Sequence, residues 1–341
     1  MRLRDGELDI ALERVDRRIR EVVAGSDRMV LQYIADIGTS RGKRIRPRLM
    51  IAVAGMFGGA PAGTLANCAA CCELLHTASL IHDDVIDEAP TRRGSLTLSN
   101  MYGNEIAVVV GDYLLALVLR ALNSERDHKL VDMLLGTSQE LGMGVIEEVL
   151  NRNNFVLSVE KYYDIIYLKT ASLFSLCCEL GAYLGGSSTS EPVARPAGLS
   201  LAQQYGKHLG LAFQVVDDLL DLTADSASTG KPAMNDVREG RITLPVIHAL
   251  LEQPQRTKGL VEACQTSGDA ASAGALKAHL AQLGSVRFAY GEAKRLLAEA
   301  HAAGVELARA AGAETADAAA ELARLEGSVI GVLGAARELA G

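Results

Sequence analysis

The sequence predicts an all-α protein, a single domain over 1–341 built as a bundle of long antiparallel helices. Three observations carry that prediction. Apolar residues recur at helical spacing nearly throughout the chain. No segment alternates convincingly with the period of two that a strand requires. A short acidic pattern occurs twice, each time where an apolar helical run ends.

The helices follow in order. Leu8 to Val23 mixes charges with a regular apolar stripe, as a first amphipathic helix does. Arg46 to Phe57 is followed by a Gly- and Pro-containing break at 58–63, and Leu65 to Asp87 is the longest apolar helical run in the first half. A loop is expected at 89–99. Helices then follow over Ile106 to Leu122, Lys129 to Leu150 and Val159 to Leu184, with a break at 185–195. Ala202 to Leu222 leads into a loop at 224–232, and Leu244 to Leu251 into a break at 253–274. Ala-rich helices run from Leu276 onward.

Composition narrows the function. Basic residues number 34 against 42 acidic ones, a formal charge of -8, which argues against non-specific nucleic-acid binding. An anionic substrate would then need local cations or metal ions. Trp is absent and aromatics make up 4% of the chain, a poor basis for base stacking. The N-terminus carries charges throughout and lacks a signal-peptide core. No uninterrupted apolar run reaches the roughly 18 to 20 residues of a membrane span; the closest, Ile106 to Leu119, is interrupted by Asp112. The expectation is a cytoplasmic protein with no transmembrane segment. Cys68, Cys71 and Cys72 cluster on one helix and Cys177 and Cys178 are adjacent, which does not suit a disulfide framework. Cys68, Cys72 and His76 share a helix face, but buried free thiols explain that arrangement better than zinc does.

The acidic patterns are Asp83-Asp84-Val85-Ile86-Asp87 and Asp217-Asp218-Leu219-Leu220-Asp221. Residues four apart lie on one helix face, so Asp83 with Asp87, and Asp217 with Asp221, each direct two carboxylates the same way. Like charges so placed repel, and a hard divalent cation such as Mg²⁺ relieves the repulsion with the oxygen ligands it prefers. Two such clusters predict a shared divalent-metal site.

Further motifs surround them: Gly42-Lys43-Arg44-Ile45-Arg46-Pro47, the run Glu73 to His82 ahead of the first acidic pattern, and Arg92-Arg93-Gly94 after it. Gly111-Asp112-Tyr113, Lys169-Thr170, Phe213-Gln214, Gly230-Lys231-Pro232 and Asn235 to Gly240 continue the series. In this order they resemble the trans-prenyl diphosphate synthases, over about Gly42 to Pro245. The resemblance implies the isoprenoid synthase fold, helices around a central cavity, and a homodimer. It implies that Asp83, Asp84, Asp87, Asp217, Asp218 and Asp221 hold about three Mg²⁺ ions on an allylic diphosphate. Arg92, Lys169 and Lys231 would contact that group, supported by Thr170 and Gln214, and Lys43, Arg46, His76 and Arg93 would bind isopentenyl diphosphate. Asp83, Asp84, Asp87, Lys169 and Asp217 would carry the catalysis, which joins the two substrates into a longer trans-polyprenyl diphosphate.

The residues one turn before Asp83 bear on product length. Ala78 and Ser79 are small and lie about 6 to 7.5 Å down the helix, so a tunnel there is open, and the segment most resembles medium- to long-chain, octaprenyl-like synthases making about six to ten isoprene units. Shorter farnesyl or geranylgeranyl products, a terpene cyclase, or a subunit of a heteromeric synthase are the alternatives. Departures from the family pattern fall at Met143 and Val145, where acids are usual, and at Glu148, where Gln is usual; Leu96 and Ser99 also differ. His82 has no assigned role.

Overall fold

In a computed structural model, placement is described for residues 7–34, 43–92, 94–186, 196–223, 234–312, 320–327 and 329. The described chain is all-α apart from one antiparallel pair of two-residue strands, β1 (Thr91–Arg92) and β2 (Ser95–Leu96). The chain divides into two compact units: Met1–Gln139, Leu173–Gly206 and Ala302–Leu325 form the first, and Glu140–Ser172, Lys207–His301 and Glu326–Gly341 the second.

In the first unit the main helices are α1 (Glu7–Ala24), α2 (Arg28–Ile34), α3 (Ile45–Met56), α4 (Ala62–Ile86), α5 (Leu98–Tyr102) and α6 (Asn104–Asn123). Helix α4 is buried over most of its length because apolar and small residues occupy nearly every face. It packs antiparallel on α6. Near one end the Asn67 side chain donates to Ala121 O at 2.8 Å, in the middle Cys71 lies 3.7 Å from Val118 O, and near the other end His82 Nε2 lies 3.1 Å from Val108 O. Asn67 is buried, and it is satisfied by accepting from Arg18 of α1 and donating to Glu125 as well, so one amide locks three elements. Gly111 permits the close approach at the His82 end, since a Cβ there would fall 2.2 Å from the imidazole.

Helix α7 (His128–Leu150) begins in the first unit and ends in the second. The second unit contains α8 (Val159–Ile166), a π-helical turn (Tyr167–Ala171) and α11 (Asn235–Arg238), α12 (Leu244–Glu252), α13 (Pro254–Ser267) and α14 (Ala270–Gln282). Helices α9 (Ser172–Gly186), α10 (Pro196–Thr223) and α15 (Ser285–Ala310) complete the order.

The predicted helices are present with ends shifted by a few residues, and the predicted run from Val159 to Leu184 is α8, the π turn and α9. The expected break at 253–274 is wrong: most of it is α13 and the start of α14. Its Pro254 occupies the first turn, where the missing N–H costs nothing, and Gly268 (φ 61°) ends α13. Asp269 then accepts from Ser272 N at 2.8 Å and starts α14. Short α2 and α5, and the two-residue strands, were also not expected.

All six cysteines are free and buried, and burial pushes the Cys71 thiol up to about 12. Two stretches, Ala62–Ile86 and Val159–Gly186, meet the length and hydropathy of a membrane span, contrary to the expectation that no run does; 67% and 78% of the most apolar 18 residues of each is buried inside the protein, as in core helices.

Candidate active site

The first acidic pattern ends α4. The N–H of Asp87 closes the helix on Asp83 O at 2.8 Å, and Ala89 N bonds Asp84 O at 3.0 Å. Glu88 turns the chain with φ 49°. Asp84 is buried and accepts from Arg92 Nε at 2.6 Å, so the cation of β1 holds the middle carboxylate inside. Asp83 and Asp87 are half-buried and share the other face of the helix end. The strand pair carrying Arg92 turns at Gly94 (φ 80°), and Thr97 fastens it by donating to Ala89 O at 2.7 Å.

In the same unit Lys43 is exposed, His76 is half-buried, and the Arg46 guanidinium lies 4.8 Å from the centroid of the buried Phe174 ring. Arg44, between the two predicted cations, sits in the left-handed region (φ 51°). Its side chain reaches Asp16 of α1 at 2.8 Å and Glu73 of α4 at 2.9 Å. Two ion pairs therefore hold a strained residue, which fixes where α3 starts and so where Arg46 stands. Arg93 and Lys231 lie outside the described residues.

The second acidic pattern, in the second unit, uses different anchors. Asp218 is buried; Tyr162 donates to one of its oxygens at 2.6 Å and Gln214 Nε2 to the other at 2.8 Å. Gln214 accepts in turn from Thr170 Oγ1 at 2.7 Å. Asp221 accepts the backbone N–H groups of Asn235 at 3.1 Å and Asp236 at 3.0 Å, which start α11. Asp217 is exposed. Burial, with Asp236 nearby, pushes Asp221 up to about 7 against those two hydrogen bonds, and burial pushes Asp218 well above the usual carboxylate range.

Lys169 and Thr170 occupy the π-helical turn, a form that concentrates at functional sites. The turn presses against α7 at Gly144, where a Cβ would fall 2.5 Å from Lys169 N. Lys169 Nζ donates to Glu148 Oε1 at 2.6 Å. The structure thus joins Lys169, Thr170, Gln214 and Asp218 with two residues the sequence did not single out, Tyr162 and Arg241, the latter 3.3 Å from Glu148. His82, on α4, lies against α6 with Nε2 3.1 Å from Val108 O. No group of three or more His, Cys, Asp or Glu among the described residues is arranged to hold a metal ion.

Comparison with known proteins decides what these anchored motifs belong to. A family model described as Polyprenyl synthetase matches residues 27–283. The chain belongs to the polyprenyl synthetase family. Among curated polyprenyl synthetases it is 36% identical over 229 residues to the decaprenyl-diphosphate synthase of Dictyostelium discoideum, covering 67% of this chain but only 48% of that one, so the match spans about half of that relative's length. It is 34% identical over 268 residues to a short chain isoprenyl diphosphate synthase of Methanothermobacter thermautotrophicus, covering 75% and 78% of the two chains. Its fold is shared with a polyprenyl synthase from Caulobacter crescentus CB15, solved in complex with calcium and isoprenyl diphosphate, at TM-score 0.80 and 28% identity over 93% of this chain and 94% of that one.

Proposed function

We propose that this polyprenyl synthetase condenses isopentenyl diphosphate with an allylic diphosphate into a longer trans-polyprenyl diphosphate, acting as one synthase domain over 1–341. The observation that carries the reading is the family match over 27–283, which contains both acidic motifs and every proposed cation. The donor set fits Mg²⁺: carboxylate oxygens in pairs, with Asp84, Asp218 and Asp221 oriented by hydrogen bonds, Asp83 and Asp87 half-buried and Asp217 exposed. All six are proposed to hold about three Mg²⁺ ions, which when bound neutralise diphosphate oxygens and ease departure of the leaving group.

The chain's own residues supply the rest. Lys169, Arg92 and Lys231 place fixed positive charge on the allylic diphosphate, which lowers the cost of breaking its C–O bond. Thr170 and Gln214 hold the Lys169 turn against α10. Lys43, Arg46, His76 and Arg93 hold isopentenyl diphosphate so that its double bond meets the allylic cation. A proton then leaves, with the departed diphosphate as its acceptor, and the new double bond forms. Exposed Val108, Val109 and Leu119 on α6 support a homodimer, and six free, buried cysteines suit the reducing environment of a cytoplasmic location. Removing divalent metal from the full chain with EDTA should abolish elongation and added Mg²⁺ should restore it; elongation that persists in EDTA would refute the proposed metal role.

A further inference from the structure

Lys169, Glu148 and Arg241 form a chain of charges that continues to the second acidic motif. Glu148 Oε1 accepts from Lys169 Nζ at 2.6 Å and lies 3.3 Å from Arg241 Nε. Arg241 is paired in turn with Asp236 at 2.8 Å and Glu239 at 2.6 Å. The backbone N–H of Asp236 is one of the two that hold Asp221. The side chains are mostly buried: Lys169 is 20% exposed, Glu148 16% and Arg241 18%. At that depth water screens little, so each partner of Glu148 changes what the carboxylate offers the other.

We infer that Glu148 is a positioning residue that sets the affinity of Lys169 for diphosphate, and that Arg241 moderates it. The inference rests on the reading that Lys169 contacts the allylic diphosphate. A carboxylate on that ammonium competes with the diphosphate oxygens for the same donors. Arg241 draws part of the Glu148 charge away and weakens the competition. Removing the Glu148 charge should therefore tighten diphosphate binding, whereas removing Arg241 should leave Glu148 to Lys169 alone and weaken it. The two changes move one parameter in opposite directions. A purely structural role would instead lower stability and binding together.

The test is calorimetric titration of inorganic pyrophosphate at saturating Mg²⁺ into the full chain, its Glu148→Gln and Arg241→Gln variants and the double variant, with circular dichroism and melting curves on each. Glu148→Gln is expected to bind roughly fivefold tighter and Arg241→Gln roughly fivefold weaker, and the Arg241 effect should shrink to less than about twofold on the Glu148→Gln background. Glu148→Asp, which retracts the charge without removing it, should tighten binding to a smaller extent and serves if Glu148→Gln does not fold. In elongation assays KM for the allylic substrate should fall in Glu148→Gln while KM for isopentenyl diphosphate stays put. Unchanged or weaker pyrophosphate binding by the Glu148 variants overturns the inference, as does an Arg241 effect of equal size in both backgrounds. A parent chain that binds pyrophosphate but elongates no primer overturns the proposed function alone; one that binds no pyrophosphate overturns both.

Discussion

Tyr162 donates its phenolic proton to Asp218 across 2.6 Å in the buried part of the second unit. The bond fixes the middle carboxylate of the second acidic motif, as Arg92 fixes Asp84 in the first. Burial and Asp218 together push the Tyr162 phenol well up, so it remains a donor throughout the working pH range. Tyr162→Phe removes the donor and leaves one oxygen of a buried carboxylate without it. A loss of about 1–3 kcal/mol of stability is expected, with reduced elongation rate. Denaturant melts and steady-state kinetics on the same preparations check both, and an unchanged rate would show that the placement of Asp218 does not matter to catalysis.

Gly144→Ala sets backbone against a new methyl group. The Cβ would lie 2.5 Å from Lys169 N and 2.8 Å from Leu168 C, atoms that no side-chain rotation can move. The π turn must shift, and Lys169 with it. A misplacement of about 1 Å costs on the order of 100-fold in rate, so kcat/KM should fall by about that factor while helical circular dichroism is retained.

Ala78 is fully buried on α4. It falls on the same line as Asn67, Cys71 and His82, all of which meet α6, so Ala78 faces α6 too. Ala78→Phe should shorten the dominant product, at an overpacking cost of about 1–3 kcal/mol. Mass spectra of the products decide it: an unchanged distribution in a folded variant would mean that the hydrocarbon does not pass this position.

His279 is buried against Thr257, 3.0 Å away. Thr257 already donates to Ala249 O, so His279 Nε2–H is the donor between them. Burial, with Arg256 nearby, lowers the His279 pKa from its ordinary 6.5. The folded state then binds fewer protons than the unfolded one below that value, so stability rises with pH and is lost as pH falls through about 6.5 toward the lowered folded value. The raised carboxyls of Asp221 and Asp218 act with the opposite sign in the same window, so melting curves read the His279 contribution as a difference: the stability of the parent chain minus that of His279→Gln should fall as pH goes from about 7.5 to 5.

Most helices were legible because an apolar stripe survives, as in α1 and α8, or because, as in α4, a long apolar run is bounded by breaks; the two acidic motifs were legible because spacing alone groups Asp83 with Asp87. What holds them was not. Tyr162 is one of several aromatics at helical spacing, and nothing local distinguishes it as the partner of an aspartate 56 residues later. Arg241 reads as an ordinary loop cation until Glu148 is seen beside it. Gly111 and Gly144 did carry a signal, since glycine inside an apolar helix weakens it by about 1 kcal/mol relative to alanine, a cost that close packing explains. The stretch 253–274 departs from its expected break because Pro254 and Gly268, residues typical of loops, here bound a helix at its first turn and its C-terminal end.

The most direct test of the account is to supply the purified chain with Mg²⁺, isopentenyl diphosphate and, separately, dimethylallyl, geranyl, farnesyl or geranylgeranyl diphosphate, and to size the products by mass spectrometry. The expected result is a linear ladder ending near one length, about six to ten isoprene units, because Ala78 and Ser79, about 6 to 7.5 Å down the helix from the motif, are small. No elongation from any primer, or a cyclised hydrocarbon in place of the ladder, would contradict it.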